Sequence, residues 1–147
     1  MSATKDRNGA PEIMNNVVAG LARRGVSLLG AQELSVTGRR SGEIRSTPVN
    51  PLLRDGELYL VSARGNTQWV RNVRTTPEVH LRVGRRSTAY TAVELPNDVK
   101  VPLLRAYLKR WGWQVKPMFA GITASSTDDQ VATVAGEHPV FRLELVG

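Results

Sequence analysis

Short runs of strand-forming residues, separated by glycine-containing turns, fill the chain from residue 33 to residue 95. The pair Asp55-Gly56 lies between two of these runs and is typical of a two-residue β-hairpin. The segment Gly84-Arg85-Arg86 joins a later pair of runs. Because hairpins connect antiparallel strands, the pattern predicts a largely antiparallel sheet.

The spacing of apolar residues predicts the individual elements. We expect strands at 33–37, 45–53, 58–63, 79–83, 88–95 and 140–146. We expect helices at 11–29, at 68–74, from a cap at Asn97 or Asp98 through Trp111, and at 127–135. This is an α+β arrangement in which about six mostly antiparallel strands form a small barrel or a strongly curled sheet, because closure removes exposed edges.

Length and composition suggest how the chain is organised. With 147 residues and no cysteine, it is long enough to bury a core without disulfide bonds. We expect residues 1–10 to be a flexible N-terminus and residues 11–147 to form a single domain. The lack of cysteine and of an apolar leader favours a soluble protein of the reducing cytoplasm. The apolar stripe of residues 13–29 leaves two alternatives open, packing on the domain's own sheet or peripheral contact with a membrane.

The net charge of +7 favours an anionic partner. The arginines occur in pairs at turns, and the chain has only three Trp, three Tyr and two Phe. A platform for single-stranded nucleic acid needs several stacked aromatic residues, so nucleic acid is not the expected partner. The charge is better matched to a phosphorylated or polycarboxylate ligand.

A basic loop lies between the first two predicted strands. It combines glycines, hydroxyl side chains and arginines: Thr37, Gly38, Arg39, Arg40, Ser41, Gly42 and Arg45. Glycine permits positive φ and close approach of the backbone, so that amides and hydroxyl groups can converge on anionic oxygens, and arginine adds charge-assisted hydrogen bonds. These residues alone fit a phosphate-binding loop and an exposed hairpin turn equally well.

A second cluster runs from the third predicted strand into the following helix. It contains Ala63, Arg64, Gly65, Gln68, Trp69 and Asn72. A glycine loop at a helix N-terminus exposes backbone N–H groups that suit an anion or a carbonyl oxygen. Trp69 and Asn72 share one helical face, where an indole and an amide suit a flat ring with polar edges. The alternative is that Trp69 belongs to the core and Asn72 satisfies the end of the helix.

In their order along the chain, these motifs resemble the deazaflavin-dependent nitroreductase family, the actinobacterial split-barrel reductases that use coenzyme F-420. The resemblance comprises Thr-Gly-Arg-Arg-Ser-Gly, Arg-x-Thr-Pro, the Asp-Gly hairpin, Arg-Gly-x-Thr-Gln-Trp-x-Arg-Asn and His138-Pro139-Val140-Phe141. It implies a split β-barrel related to the barrels that bind flavin mononucleotide (FMN). It also implies hydride transfer from the reduced deazaflavin to a small conjugated acceptor, such as a quinone, a nitroaromatic compound or an enone.

The resemblance assigns both clusters to the cofactor. It places the coenzyme's phosphate and polyglutamate tail at Arg39, Arg40, Ser41 and Arg45. It implies that the path to the ring is lined by Thr47, Pro48 and Val49. It implies that the ring is faced by the backbone of Ala63, Arg64 and Gly65, and that the pocket is closed by Trp69 and Asn72. FMN as the cofactor and a non-catalytic carrier of deazaflavin or an apolar ligand are the alternatives.

No catalytic side chain or metal site is expected. The two histidines, His80 and His138, suit structural roles, and they are too isolated to form a metal site. The protein's task in hydride transfer is mainly alignment, because the cofactor supplies the chemistry, and the proton can come from water. Residues 111–119 contain no tyrosine, whereas tyrosines surround the substrate in the best-known member of the family. The identity of the acceptor is therefore left open.

Overall fold

A computed structural model of the protein describes residues 32–146. Its strands are β1 (Gln32–Thr37), β2 (Ile44–Val49), β3 (Leu52–Arg54), β4 (Glu57–Val61), β5 (Glu78–Val83), β6 (Arg86–Glu94) and β7 (Val140–Leu145). Its α-helices are α1 (Gln68–Thr75), α2 (Val101–Val115) and α3 (Asp128–Ala132). Short 3-10 helices occur at Asn97–Val99, Lys116–Met118 and Ala135–Glu137.

The seven strands form one antiparallel sheet in the order β2-β1-β5-β6-β7-β4-β3. The two edge strands, β2 and β3, are consecutive in the chain and are joined only by Asn50 and Pro51. Two connecting residues span at most about 11 Å between the strand ends. The sheet therefore curls until its edges meet, as closure of a barrel requires.

Two hydrophobic clusters stabilise this curled sheet. The first lies between the sheet and α1, where Val70 and Val73 pack against strand residues such as Leu34 and Phe141. The second joins α2 and α3 to the β3–β4 side, and Leu104 and Val131 are completely buried in it. The two clusters fix α1 and α2 on the sheet.

The predicted α+β class and antiparallel sheet are confirmed, and the strand count differs slightly. The strand predicted at 45–53 is divided at Asn50 and Pro51 into β2, which pairs with β1, and β3, which pairs with β4. The helix predicted from Asn97 begins with a separate 3-10 turn, and the helix predicted at 127–135 ends at Ala132. The predicted flexible N-terminus and the predicted helix at 11–29, with its membrane alternative, lie outside the described residues.

Candidate functional site

A cavity of about 880 Å³ lies where the β1–β2 loop, strand β2, the loop after β4, α1 and the C-terminal end of α2 meet. Most of the predicted site residues line it: Gly38, Arg39, Arg40, Ser41, Arg45, Thr47, Pro48, Val49, Ala63, Arg64, Gln68, Trp69 and Asn72. The structure thus brings both predicted clusters to one cavity.

The β1–β2 loop is closed by its own hydrogen bonds. The Gly38 N–H donates to Glu43 O over 2.7 Å, and the Gly42 N–H donates to Gly38 O over 2.9 Å. Gly42 has a φ of +74°, and a Cβ on Gly38 would lie 3.0 Å from Ser41 Oγ. The two glycines are needed for the turn, and their amides are already engaged. An anion at this loop would therefore not be bound by these two amides.

Arg39 links the loop to α1. Its backbone N–H and its Nη1 both donate to Asn72 Oδ1, over 3.0 and 2.8 Å, and Nη1 also donates to Gln68 Oε1 over 3.0 Å. Asn72 is only 5% exposed, so its carbonyl oxygen is committed to Arg39. Asn72 joins the two clusters, which are more than thirty residues apart in sequence.

The cavity is positively charged. Arg39, Arg40, Arg45 and Arg64 line it, and no Asp or Glu is among its described lining residues. Within residues 32–146, Arg40, Arg45 and Arg64 have no carboxylate within 4.0 Å. Their charges are not neutralised by the described part of the protein, which favours an anionic ligand.

The loop after β4 is fixed by hydrogen bonds within the loop and to the segment before β7. Ser62 Oγ donates to Gly65 O over 2.5 Å, and the Ser62 N–H donates to Pro139 O over 2.9 Å. His138, which is buried and stacked on Phe119 with ring centroids 3.9 Å apart, donates from Nδ1 to Ser62 O over 3.1 Å. Burial lowers the pKa of His138, which favours the neutral imidazole. His138 supports the cavity from outside it.

Thr67, the N-cap of α1, lines the cavity and was not among the predicted site residues. Its Oγ1 is buried and has no hydrogen-bond partner in the described part of the chain. Buried hydroxyl groups are rarely left unpaired, so this atom suits a polar group of a ligand. Its sequence signal is its position directly before a helix that follows a glycine loop.

Trp69 satisfies both interpretations of its position. Its ring lies 5.7 Å from that of Phe141, centroid to centroid, and packs on the first hydrophobic cluster. The same side chain lines the cavity. It is therefore a core residue whose remaining surface is available to a flat ligand.

Helix α2 and the 3-10 helix after it add residues that were not among the predicted site residues: Tyr107, Gln114, Val115 and Met118. Trp111 anchors α2 by donating from Nε1 to Pro51 O over 3.1 Å. Burial raises the pKa of Tyr107 to about 12. For Gln114, Val115 and Met118 the signal was the family resemblance, in which the corresponding region surrounds the substrate. For Tyr107 the only signal was its place in a predicted helix, which does not identify a cavity.

Three predicted residues do not line the cavity: Thr37, Gly42 and Gly65. Side chains alternate along β1, so that Val36 is buried towards the cavity and Thr37 faces the other side of the sheet. The Gly65 N–H is bonded to Ser62 O over 3.3 Å. Contact of these three residues with a coenzyme stays a prediction.

The chain is similar to known proteins in sequence and in structure. A family model described as F420H2-dependent quinone reductase matches residues 14–137. The F420-H2 dependent reductase FDR-A is similar in structure, with 20% identity, a TM-score of 0.52 and coverage of 82% of this chain and 100% of that one. No curated protein matches the chain.

Two further solved structures share the fold. A conserved hypothetical protein from Mycobacterium tuberculosis has 16% identity, a TM-score of 0.56 and coverage of 100% of this chain and 87% of that one. A NimC/NimA family protein from Clostridium acetobutylicum has 15% identity, a TM-score of 0.55 and coverage of 90% and 88%. The curled sheet is thus the predicted split β-barrel. Among residues 32–146, no helix is long and apolar enough to cross a membrane.

Proposed function

Because the chain belongs to the F420H2-dependent quinone reductase family and is an F420-dependent oxidoreductase, we propose that its cavity binds reduced coenzyme F-420 and a small conjugated acceptor. The acceptor classes are a quinone, a nitroaromatic compound or an enone. The observation that carries the proposal is the cavity itself, which has four arginines and no carboxylate among its described lining residues.

The charge of the cavity suits the coenzyme, an elongated polyanion with a flat tricyclic head. Arg40 and Arg45, exposed and unpaired within residues 32–146, would bind its phosphate and polyglutamate tail together with Ser41. Arg39 would hold the loop in place through Gln68 and Asn72 and offer its remaining N–H groups to the same anion. Arginine forks bind phosphate and carboxylate groups through paired hydrogen bonds.

The head of the coenzyme would lie beyond this loop, along strand β2. Thr47, Pro48 and Val49 line the cavity there, together with Ala63 and Arg64 of the loop after β4. Thr67 Oγ1, buried and without a partner among the described residues, supplies a hydrogen-bonding group for a ring oxygen or nitrogen. Trp69 offers its apolar ring surface. A volume of about 880 Å³ is in the range of sites for molecules of this size.

When bound, the reduced coenzyme would supply a hydride, which is two electrons and one proton, to the acceptor. The residues of the chain bind, orient and shield the reactants, which is the usual contribution of a protein to cofactor chemistry. The support of the loop after β4 by His138 and Ser62 keeps the backbone around Ala63 in one position.

Titration of the purified protein with oxidised F-420 at low salt tests the proposal. We expect saturable binding, detected as a change in the coenzyme's fluorescence, and oxidation of the reduced coenzyme when menadione is added. Absence of saturable binding would refute the proposal. FMN is the control ligand, since the family match names F420H2 and lends no support to FMN. Tight binding of F-420 without turnover across a panel of acceptors would instead favour a carrier.

A further inference from the structure

The loop after β4 brings several of its residues to the cavity. The residues of this loop that line the cavity are Ser62, Ala63, Arg64 and Thr67. The start of the loop is bonded to the segment before β7. At its other end, the Thr67 N–H donates to Gly65 O over 2.8 Å, which forms a three-residue turn with Asn66 at its centre. Asn66 therefore lies where the chain turns from the cavity into α1.

The side chain of Asn66 is held by Arg74, which lies in the last turn of α1. Arg74 Nη1 donates to Asn66 Oδ1 over 3.0 Å. The other edge of the guanidinium binds Glu94 at the end of β6, where Nε donates to Oε1 over 2.8 Å and Nη2 donates to Oε2 over 2.7 Å. Because the guanidinium is planar and rigid, this paired bond to Glu94 fixes the direction in which Nη1 points. Glu94 thus sets the position of the N–H group that Asn66 accepts.

Arg82 has a similar arrangement at a distance from the cavity. Its Nε donates to Glu33 Oε1 over 2.7 Å, and its Nη1 donates to Gly84 O over 2.9 Å. Gly84 belongs to the β5–β6 hairpin, which contributes no residue to the described lining of the cavity. Arg74 differs from Arg82 because its third hydrogen bond reaches a loop of the cavity.

The pair of Arg74 and Glu94 is better suited to orientation than to stability. The two side chains are 39% and 35% exposed, and ion pairs with this exposure contribute little to the free energy of unfolding. Hydride transfer depends more steeply on geometry, since the reacting atoms must be held within about 3 to 3.5 Å of each other. A small shift of a loop beside the reactants can therefore reduce the rate without unfolding the protein.

Resting on the proposed function, we propose that Arg74 is a positioning residue for hydride transfer. Bound to Glu94, it holds Asn66 and thereby keeps the loop after β4 in the position that aligns the coenzyme with the acceptor. Neither Arg74 nor Asn66 is among the described lining residues, so Arg74 acts through the loop and not by contact with the reactants. Its loss should lower kcat, while the arginines of the β1–β2 loop keep the coenzyme bound.

The first test replaces Arg74 with lysine. Arg74→Lys keeps a positive charge beside Glu94, but one ammonium group cannot reproduce the planar fork that fixes Nη1 towards Asn66. With menadione as the acceptor, we expect kcat to fall roughly 3- to 10-fold, because alignment is lost. The Kd for F-420 should change less than twofold, and the midpoint of urea denaturation should stay the same. Arg82→Lys is the matched control and should change none of these quantities.

The second test removes the acceptor of the hydrogen bond. Asn66→Ala leaves the pair of Arg74 and Glu94 intact, and we expect the same loss of kcat as in Arg74→Lys. The double variant should show no further loss, because both changes break one bond. Hydrogen exchange of the protein without coenzyme, followed by NMR, gives a readout that does not depend on activity. The Thr67 N–H should exchange several-fold faster in both variants and at the wild-type rate in Arg82→Lys.

Wild-type kcat in both Arg74→Lys and Asn66→Ala would overturn the positioning role and leave the proposed function standing. A loss of kcat that accompanies a lower urea midpoint, with unchanged exchange of the Thr67 N–H, would also overturn it, since Arg74 would then serve stability alone. Failure of the wild-type protein to bind F-420 would count against the proposed function instead. The exchange measurement would in that case still show whether Arg74 holds the loop.

Discussion

Arginines on the outer surface and arginines in the cavity have different partners. Three outer arginines pair with glutamates at 2.6 to 2.7 Å: Arg74 with Glu94, Arg82 with Glu33 and Arg142 with Glu144. Arg82 accordingly lowers the pKa of Glu33. Arg40, Arg45 and Arg64 line the cavity and have no such partner within residues 32–146. The difference separates arginines that serve the fold from arginines that are available to a ligand.

The largest expected effect is on coenzyme binding at the unpaired arginines. Arg40→Ala or Arg45→Ala should each weaken F-420 binding by about 1.5 to 3 kcal/mol, the value of a hydrogen bond to a charged group. Fluorescence titration at fixed ionic strength measures the effect. Arg82→Ala removes the same charge from the outer surface and should leave the affinity nearly unchanged. If neither cavity variant changes the affinity, Arg40 and Arg45 belong to an exposed turn and do not bind the coenzyme.

A smaller effect is expected on stability at a paired arginine. Arg74 donates to both carboxylate oxygens of Glu94 and to Asn66 Oδ1. Because this pair is partly exposed, Arg74→Ala should lower the free energy of unfolding by only about 0.5 to 1 kcal/mol, measured by urea denaturation. Coenzyme affinity should not change. A loss of affinity equal to that of Arg45→Ala would mean that the total charge of the protein, rather than contact, attracts the coenzyme.

Features that depend on nearby residues could be predicted from the sequence. Asp55 and Gly56 have φ values of 51° and 80°, as the two-residue hairpin predicted from this pair requires. The antiparallel arrangement of the strands could be predicted from such turns. The division of the strand at 45–53 was missed, because β2 and β3 pair with different neighbours at opposite edges of the curled sheet. That pairing is a property of the closed sheet and not of the local pattern.

The candidate site likewise combines features that could be predicted from nearby residues with features that depend on the folded structure. Each basic cluster could be recognised because its residues are close together in sequence. The bond between Arg39 and Asn72 joins positions 33 apart, and it converts an amide expected at the ligand into a support for the loop. Tyr107 lies in a predicted helix, and only the docking of α2 on the β2–β3 connection, through the bond from Trp111 to Pro51 O, gives it a place in the cavity. Tertiary packing determines which side of a buried residue faces a ligand.

The smallest expected effect is on the pH dependence of the free energy of unfolding, and it arises from His138. The cavity arginines keep their charge at every accessible pH, whereas burial lowers the pKa of His138 below its ordinary value of 6.5. The unfolded chain therefore takes up a proton near pH 6.5, and the folded protein does so only at lower pH. The contribution of His138 to stability is complete above pH 6.5 and is lost as the pH falls through its folded pKa.

Urea denaturation at pH 7.5 and pH 5 should thus show a lower free energy of unfolding at the acidic pH. His138→Gln keeps a donor for Ser62 O but removes the titration, so it should reduce this pH dependence, while His80→Gln at a half-buried strand position should not. If both variants keep the full dependence, the acid sensitivity arises from carboxylates such as Glu33 and Glu94, whose pKa values are lowered by paired arginines. In that case the ion pairs on the outer surface, and not His138, would determine how the free energy of unfolding changes at acidic pH.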